Sequence, residues 1–304
     1  MNITLKYLRY AVAVAKTGSI AAAARANFIS ESGVANAVNL LESELDVQIF
    51  ERRRARGMRL TTNGERIINQ AQHVLDEMDL FVKKRDDERL SGPLSIGVYA
   101  TVAPILLPGI ISQFASRYPD VKLHVREGDL LQIEGSLLNG EVDMILTYDH
   151  ALRPDQPRVG LAQIPYHVVL GNHDPLVAKR RLSVEDLVDK PIVLLDQPVY
   201  VDSINTMFRL SGIDPDIAYR ARTYQMACEL VGAGLGRAIL NLRPRVDITY
   251  QGDSLVRCPL RTSIPLPRLV IARPINAPHS DALEAFIQLC QTHIGVQHSP
   301  FAVT

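Results

Sequence analysis

Apolar positions return every three or four residues through the first ninety positions, then settle into alternating strand-like and helix-like runs. Leu5, Leu8, Val12 and Ala15 share one helical face, and Thr17-Gly18 stops that segment. Ser19 is a good N-cap for a second helix, Ile20 to Ala26, whose four consecutive alanines favour helix and let another helix approach closely. Asn27-Phe28-Ile29 makes a short connection. Ser30 caps a third helix, with Glu31 complementing the helix dipole in its first turn. There Val34, Val38, Leu41 and Leu45 form an inward stripe, while Ser32, Asn36 and Asn39 fall on the opposite face. Two helices joined by a tight turn, the second presenting short polar side chains, form a helix-turn-helix pattern.

Thr61-Thr62-Asn63 opens a long helix reaching about Arg89, with Ile67, Ala71, Val74, Leu75, Met78 and Val82 as its apolar stripe. At 1.5 Å per residue it spans roughly 40 Å, more than a three-helix head can cover. A narrow stripe of that length predicts pairing with a second copy rather than a core helix of one globular domain. Ser91-Gly92-Pro93 then reads as a hinge.

From Leu94 the pattern predicts strands at 94–99, 121–127, 142–147, 163–171, 191–195, 217–222, 237–240 and 269–274. Helices are predicted at 104–118, 130–138, 184–188, 201–210, 225–233 and 281–293. Such alternation implies mostly parallel sheets covered by helices, and the long middle insertion implies two lobes.

Composition adds exclusions. The 304 residues carry 33 Lys+Arg against 33 Asp+Glu, so bulk charge advertises no nucleic-acid partner. Locally the picture differs: Arg52, Arg53, Arg54, Arg56, Arg59 and Arg66 against Glu51 and Glu65 leave residues 50–66 at net +4. Such a cluster is either a solvated face or a phosphate-binding surface. No apolar run approaches the roughly 18–20 residues of a bilayer span, and the N-terminus lacks a signal-peptide core, so a cytoplasmic location is expected. Cys228, Cys258 and Cys290 suit neither a disulfide framework nor a Cys-rich metal site. Cys228 and Cys290 are expected to be inert packing thiols, and Cys258, before Pro259, to be more exposed.

Several landmarks coincide with a known family. Ser19 to Ala26 with Ser30, Leu41-Glu42 to Phe50-Glu51-Arg52, and Arg59-Leu60-Thr61 through Gly64 resemble the DNA-binding end of LysR-type transcriptional regulators. Leu107-Pro108, Phe114 to Pro119, Gly140-Glu141-Val142-Asp143 and Val231 to Gly236 extend the resemblance over the rest of the chain. It implies an α/β multidomain protein: a winged helix-turn-helix head (1–62), a dimerising linker helix (63–90) and a two-lobed effector domain (91–304) similar to periplasmic binding proteins. Lobe I is expected at 91–162 and 269–304, lobe II at 163–268. The implied partners are double-stranded promoter DNA, a small-molecule effector between the lobes, and further copies of the chain, as a homodimer through the linker helix and a homotetramer. No membrane partner is expected. The third helix departs from its relatives in carrying Glu31, Ala35, Asn36 and Asn39, with no positive charge between Ser30 and Leu41.

Phosphate contacts position a protein on DNA and groove contacts choose the sequence. Arg52, Arg53, Arg56 and Arg59 are therefore the phosphate candidates, with Arg59 alternatively bracing the wing against Glu65 or Glu51. Asn36 and Asn39 have the amide geometry to pair with adenine, and Ser30 and Ser32 offer hydroxyls. Asparagines that merely solvate the helix face are the alternative. For the effector, strand ends and helix N-termini select Ala100, Thr101, Val102, Thr147, Tyr148, Pro198, Val201, Thr223, Tyr224 and Asn241. Thr101 either helps hold an anion or caps the following helix. With no Lys or Arg in this set, a small polar or anionic organic metabolite held by neutral donors is expected, with tyrosines to stack on an aromatic one.

Catalysis is not expected, nor a metal or cofactor. Gly232, Gly234 and Gly236 follow a helix and precede a strand, the reverse of a dinucleotide-binding loop. The histidines lack metal-ligand spacing, and no serine sits in a nucleophile elbow. A cysteine-based redox regulator is the main alternative. A solute-binding protein of a transport system is a weaker one, because it would need an export signal and no N-terminal head.

Overall fold

A computed structural model describes residues 3–53, 57–83, 90–275 and 280–296. The head begins with α1 (Leu5–Thr17), capped by the Thr4 hydroxyl on the Tyr7 amide and ended by Gly18 at φ 66. α2 (Ile20–Ala26) and α3 (Glu31–Leu45) start at the expected caps, the Ser19 and Ser30 hydroxyls accepting from Ala22 N and Gly33 N. Val34, Ala37, Val38 and Leu41 of α3 are buried against Ala23 and Ala24 of α2 and Ala11 and Val14 of α1. The face of α1 differs from the sequence reading. Tyr10, Ala11, Val12 and Val14 are buried, whereas Leu5 is 36% exposed, because α1 must serve both α3 and the long helix behind it.

β1 (Phe50–Arg53) and β2 (Gly57–Leu60) form an antiparallel two-stranded wing. The wing is tied to α3 by Glu42, whose carboxylate accepts from Ile49 N (2.7 Å) and Phe50 N (2.9 Å). Thr61 caps α4 (Thr62–Lys83) by accepting from Gly64 N at 2.8 Å and donates to Gln48 O at 2.7 Å. Gly64 is required there, since a Cβ would lie 2.0 Å from the Ile49 carbonyl oxygen. In α4 the head buries Ile68, Ala71 and Leu75, while Val74 of the anticipated stripe stays 48% exposed. The anticipated end of this helix at Arg89 lies outside the described residues. The anticipated hinge is instead strand, since Gly92 and Pro93 begin β3.

Lobe I holds a five-stranded sheet of order β4-β3-β5-β12-β6, from β3 (Gly92–Tyr99), β4 (Val121–Gly128), β5 (Met144–Tyr148), β6 (Arg158–Gln163) and β12 (Arg268–Ala272). α5 (Ala103–Arg117), α6 (Leu130–Leu138) and α9 (Asp281–Val296) cover it around a core that includes Ile96, Phe114, Ile133 and Phe286. Lobe II has two small sheets. β10 (Ala238–Leu240), β7 (His167–Gly171) and β11 (Leu255–Pro259) form one; β8 (Ile192–Leu195) and β9 (Ile217–Ala221) form the other. α7 (Pro198–Leu210) and α8 (Tyr224–Gly232) pack on them around Leu170, Leu194, Phe208 and Val231.

The sheets are mixed rather than mostly parallel. β3 pairs parallel with β4 and β5, but β12 runs antiparallel to β5 and β6, and β7 is antiparallel to β10 and β11. The expected strand at 163–171 is shortened to β7, while β6, ending at Gln163, precedes it and lies outside the sequence reading; the chain leaves one lobe for the other between them, at Pro165. β11 is absent from the sequence reading, because the inward Arg257 interrupts its apolar pattern. Residues 184–187 form a 3₁₀ turn, and α7 starts at Pro198 rather than Val201. The two interlobe crossings are stitched together by Ile164 N on Pro267 O (2.8 Å) and Leu260 N on Tyr166 O (3.1 Å). Among the described residues no helix is long and apolar enough to cross a membrane.

Candidate DNA interface and effector cleft

On α3 the inward stripe fixes the rotation of the helix, and that rotation leaves Ser30, Ser32, Asn36 and Asn39 exposed together. Ser30 is occupied by its capping bond, and its hydroxyl lies 3.1 Å from that of Ser32. The Asn36 and Asn39 amides make no hydrogen bond to the described residues, so both remain open to an outside partner. In the wing, Arg59 is exposed and sits directly opposite Glu51 in the ladder, the bracing position. Arg52 and Arg53 occupy β1 opposite Met58 and Gly57. Arg54 and Arg56 lie outside the described residues.

The second site is a cleft between the lobes, about 320 Å³ including its open mouth, lined by Tyr99, Leu130, Thr147, Tyr148, His150, Tyr166, Val199, Tyr200 and Asn241. Three of the expected residues, Thr147, Tyr148 and Asn241, line it. The Tyr148 phenol donates to the Asn241 side-chain oxygen at 3.1 Å, a bond from one lobe to the other. Thr147 is 1% exposed and its hydroxyl has no protein partner, an unusual state for a buried polar atom. α7 brings Val199 and Tyr200 to the cleft with its first turn. Gln197 supplies no side-chain cap, so the Val199 and Tyr200 amides, ahead of the first helical bond from Val201 N to Gln197 O, have no capping side chain.

The other expected residues are placed differently. Thr101 does not cap α5, whose N-cap is Val102 with no side-chain bond. Thr101 and Val102 are buried, and Ala100 does not line the cleft. Thr223 caps α8 on Met226 N at 3.1 Å, and Tyr224 is turned away to donate to Leu242 O at 2.9 Å. Pro198 is exposed at the tip of α7, and Val201 packs into lobe II. Rules about strand ends lead to the sheet edges that face the cleft but not to which side chains turn inward. Tyr99, Tyr166, Tyr200, Leu130, Val199 and His150 escape them; the signal available is four tyrosines spaced between the two lobes.

Among the described residues no Lys, Arg, Asp or Glu lines the cleft. Burial, and then the nearby Asp129, pushes the Tyr99 phenol up to about 12, and burial raises those of Tyr148, Tyr166 and Tyr200, so all four rings stay protonated. His150 stacks on Tyr148 with centroids 5.8 Å apart. Burial of its ring lowers its pKa against the opposing pull of Asp149, which keeps it neutral near pH 7. The cleft is thus an aromatic-walled chamber with neutral donors.

The cysteines are all buried, Cys258 included at 4% exposure, which corrects the expectation that it is the exposed one. β11 turns its sulfur inward toward the Lys179 carbonyl. Burial raises all three thiols, Cys228 to about 11 and Cys290 to about 12, so thiolate is scarce at neutral pH.

An exposed reading helix with a wing, a long helix and a two-lobed ligand cleft define a DNA-binding regulator with a sensor domain. Residues 5–65 match the bacterial regulatory helix-turn-helix protein, lysR family, and residues 87–295 match the LysR substrate binding domain. The chain belongs to the LysR family of transcriptional regulators. The HTH-type transcriptional regulator CysB of Haemophilus influenzae is 31% identical over 242 residues, 77% of this chain and 74% of that one. HinK, a LysR family transcriptional regulator from Pseudomonas aeruginosa, aligns with a TM-score of 0.63 at 28% identity, covering 96% of this chain and 99% of that one. A full-length OxyR variant from Pseudomonas aeruginosa, substituted at a cysteine, aligns with a TM-score of 0.71 at 25% identity, covering 95% and 98%.

Proposed function

We propose that this regulator lays α3 in the major groove of promoter DNA in the cytoplasm, with Asn36 and Asn39 reading base edges and Ser30 and Ser32 at the groove wall. Arg52, Arg53, Arg56 and Arg59 hold the flanking phosphates. In this reading residues 1–62 form the head, 63–90 the linker helix and 91–304 the sensor, divided into lobe I (91–162, 269–304) and lobe II (163–268). Two chains pair along α4, for which Val74, exposed beside the head-packed Ile68, Ala71 and Leu75, is the support, and two pairs assemble as a tetramer. Nothing in this scheme requires the chain to act as an enzyme.

The effector is a small aromatic carboxylate seated in the interlobe cleft. The observation that carries this is the unpartnered Thr147 hydroxyl, buried in the wall of the cleft that the first turn of α7 also lines. Neutral donors lining one cleft suit an anion, and a helix N-terminus adds its dipole. The tyrosine walls suit a ring. The Asn241 amide nitrogen, left free when its oxygen accepts from Tyr148, is a further donor.

Thermal-shift titration with benzoate and hydroxybenzoates, against benzylamine as the cationic control, tests the class. A rise with carboxylates alone is expected, and Thr147→Val, which keeps the shape and removes the donor, abolishes it while leaving the ligand-free melting point unchanged. Stabilisation by the amine instead overturns the assignment. A redox reading is disfavoured by the three buried thiols; a peroxide response that survives Cys258→Ser dismisses that residue as its sensor.

A further inference from the structure

Phe28 stands in the turn between α2 and α3 under two penalties. Its backbone adopts φ 55, the left-handed region that glycine or asparagine takes more easily. Its ring is 96% exposed, the highest value for any large apolar residue among those described. The fold asks for neither. The turn is closed by main-chain bonds, Phe28 N on Arg25 O (3.3 Å) and Ile29 N on Ala24 O (3.1 Å), and by the Asn27 side chain on Ala23 O (2.9 Å). Ile29, not Phe28, packs into the head core. No other residue from Ala26 to Gly33 is an exposed large apolar side chain, so the ring is not part of an apolar run along this turn.

Its position gives it a partner. Phe28 lies two residues before the Ser30 cap, at the leading end of the face that carries Ser32, Asn36 and Asn39. That helix has no positive charge from Ser30 to Leu41, so its grip on the groove rests on short neutral contacts. In the major groove the one apolar group a base offers is the 5-methyl of thymine, and a phenyl ring is a suitable reader for it. We propose that Phe28 is a specificity-determining residue of the DNA interface, its ring packing on a thymine methyl at the edge of the site read by α3. This rests on the reading that α3 enters the groove.

The test uses the full-length chain. Wild type first selects duplexes from a random library. Phe28→Asn and Phe28→Ala are then compared with it on the selected duplex, on the same duplex with single thymidines replaced by deoxyuridine, and on a scrambled duplex. Phe28→Asn is expected to melt above wild type while its affinity for the selected duplex falls about tenfold, in line with one lost base contact. Affinity for the scrambled duplex changes less than about twofold, since the ring makes no contact that every sequence shares. At one or two positions deoxyuridine weakens wild type and leaves Phe28→Asn and Phe28→Ala unaffected. Undiminished affinity of both variants, an equal loss on selected and scrambled duplexes, or a deoxyuridine penalty shared by wild type and variants overturns the inference. Failure of wild type to select any duplex removes the groove reading itself and this inference with it.

Discussion

Inside lobe II a histidine is kept neutral by its surroundings. His167 is buried on β7, its Nε2 has no partner, and burial followed by the nearby Arg257 and Arg243 lowers its pKa to about 3. Between pH 6.5 and 3 the unfolded chain binds a proton there that the folded chain refuses, so stability falls as pH falls through that window. The slope for one such proton is about 1.4 kcal/mol per pH unit. Urea denaturation at about pH 6.5, 5.5 and 4.5 should show His167→Leu losing less stability than wild type across the series. A second residue-scale expectation concerns Gly64. Its missing Cβ is what lets α4 start against the Ile49 carbonyl, so Gly64→Ala should lower the melting point of the head and weaken DNA binding with it. Such residues are only partly legible in sequence. Ser19 and Ser30 announce themselves because capping is local chemistry, whereas the need for glycine at 64 comes from Ile49, a full strand pair earlier in the chain.

At the level of elements, the amphipathic helices of the head are readable because one buried stripe fixes each rotation. α4 is harder, since the head covers only part of its apolar stripe. The head takes Ile68, Ala71 and Leu75, and Val74 faces out. Val74→Asp is therefore expected to shift sedimentation toward monomer with helix content retained; an unchanged oligomer would place the interface elsewhere. The wing supplies the charge that α3 lacks. Replacing Arg52 or Arg53 by alanine should reduce the salt dependence of binding by roughly one unit each, on specific and random duplex alike, because phosphate contacts carry no sequence information. Asn36→Ala is expected to do the opposite, lowering specific affinity and sparing the random duplex. β6 and β11 escape the sequence reading for distinct reasons. β6 lies on a sheet edge with a half-exposed pattern, and β11 points a buried arginine inward, paired with Asp247.

Across the whole molecule, Leu242 reaches from lobe to lobe. Leu242 follows β10 of lobe II, yet its side chain is 1% exposed within the lobe I core, and its backbone is at φ 54. Its neighbour Asn241 bonds Tyr148 across the same gap. Leu242→Ala should cost about 2–5 kcal/mol if the core around it cannot close, and small-angle scattering of the variant should report a larger radius of gyration. No periodicity announces such a reach, since it is set by the mutual placement of two separately folded halves.

Tyr166 belongs to two structures at once. Its ring forms part of the cleft wall, and its carbonyl fastens one interlobe crossing to the other. Any guest resting on that ring leans on the axle that joins the halves. A molecule that fits the chamber in only one setting of the axle would tilt the balance of settings by its own preference, and needs no relay of side chains to do it.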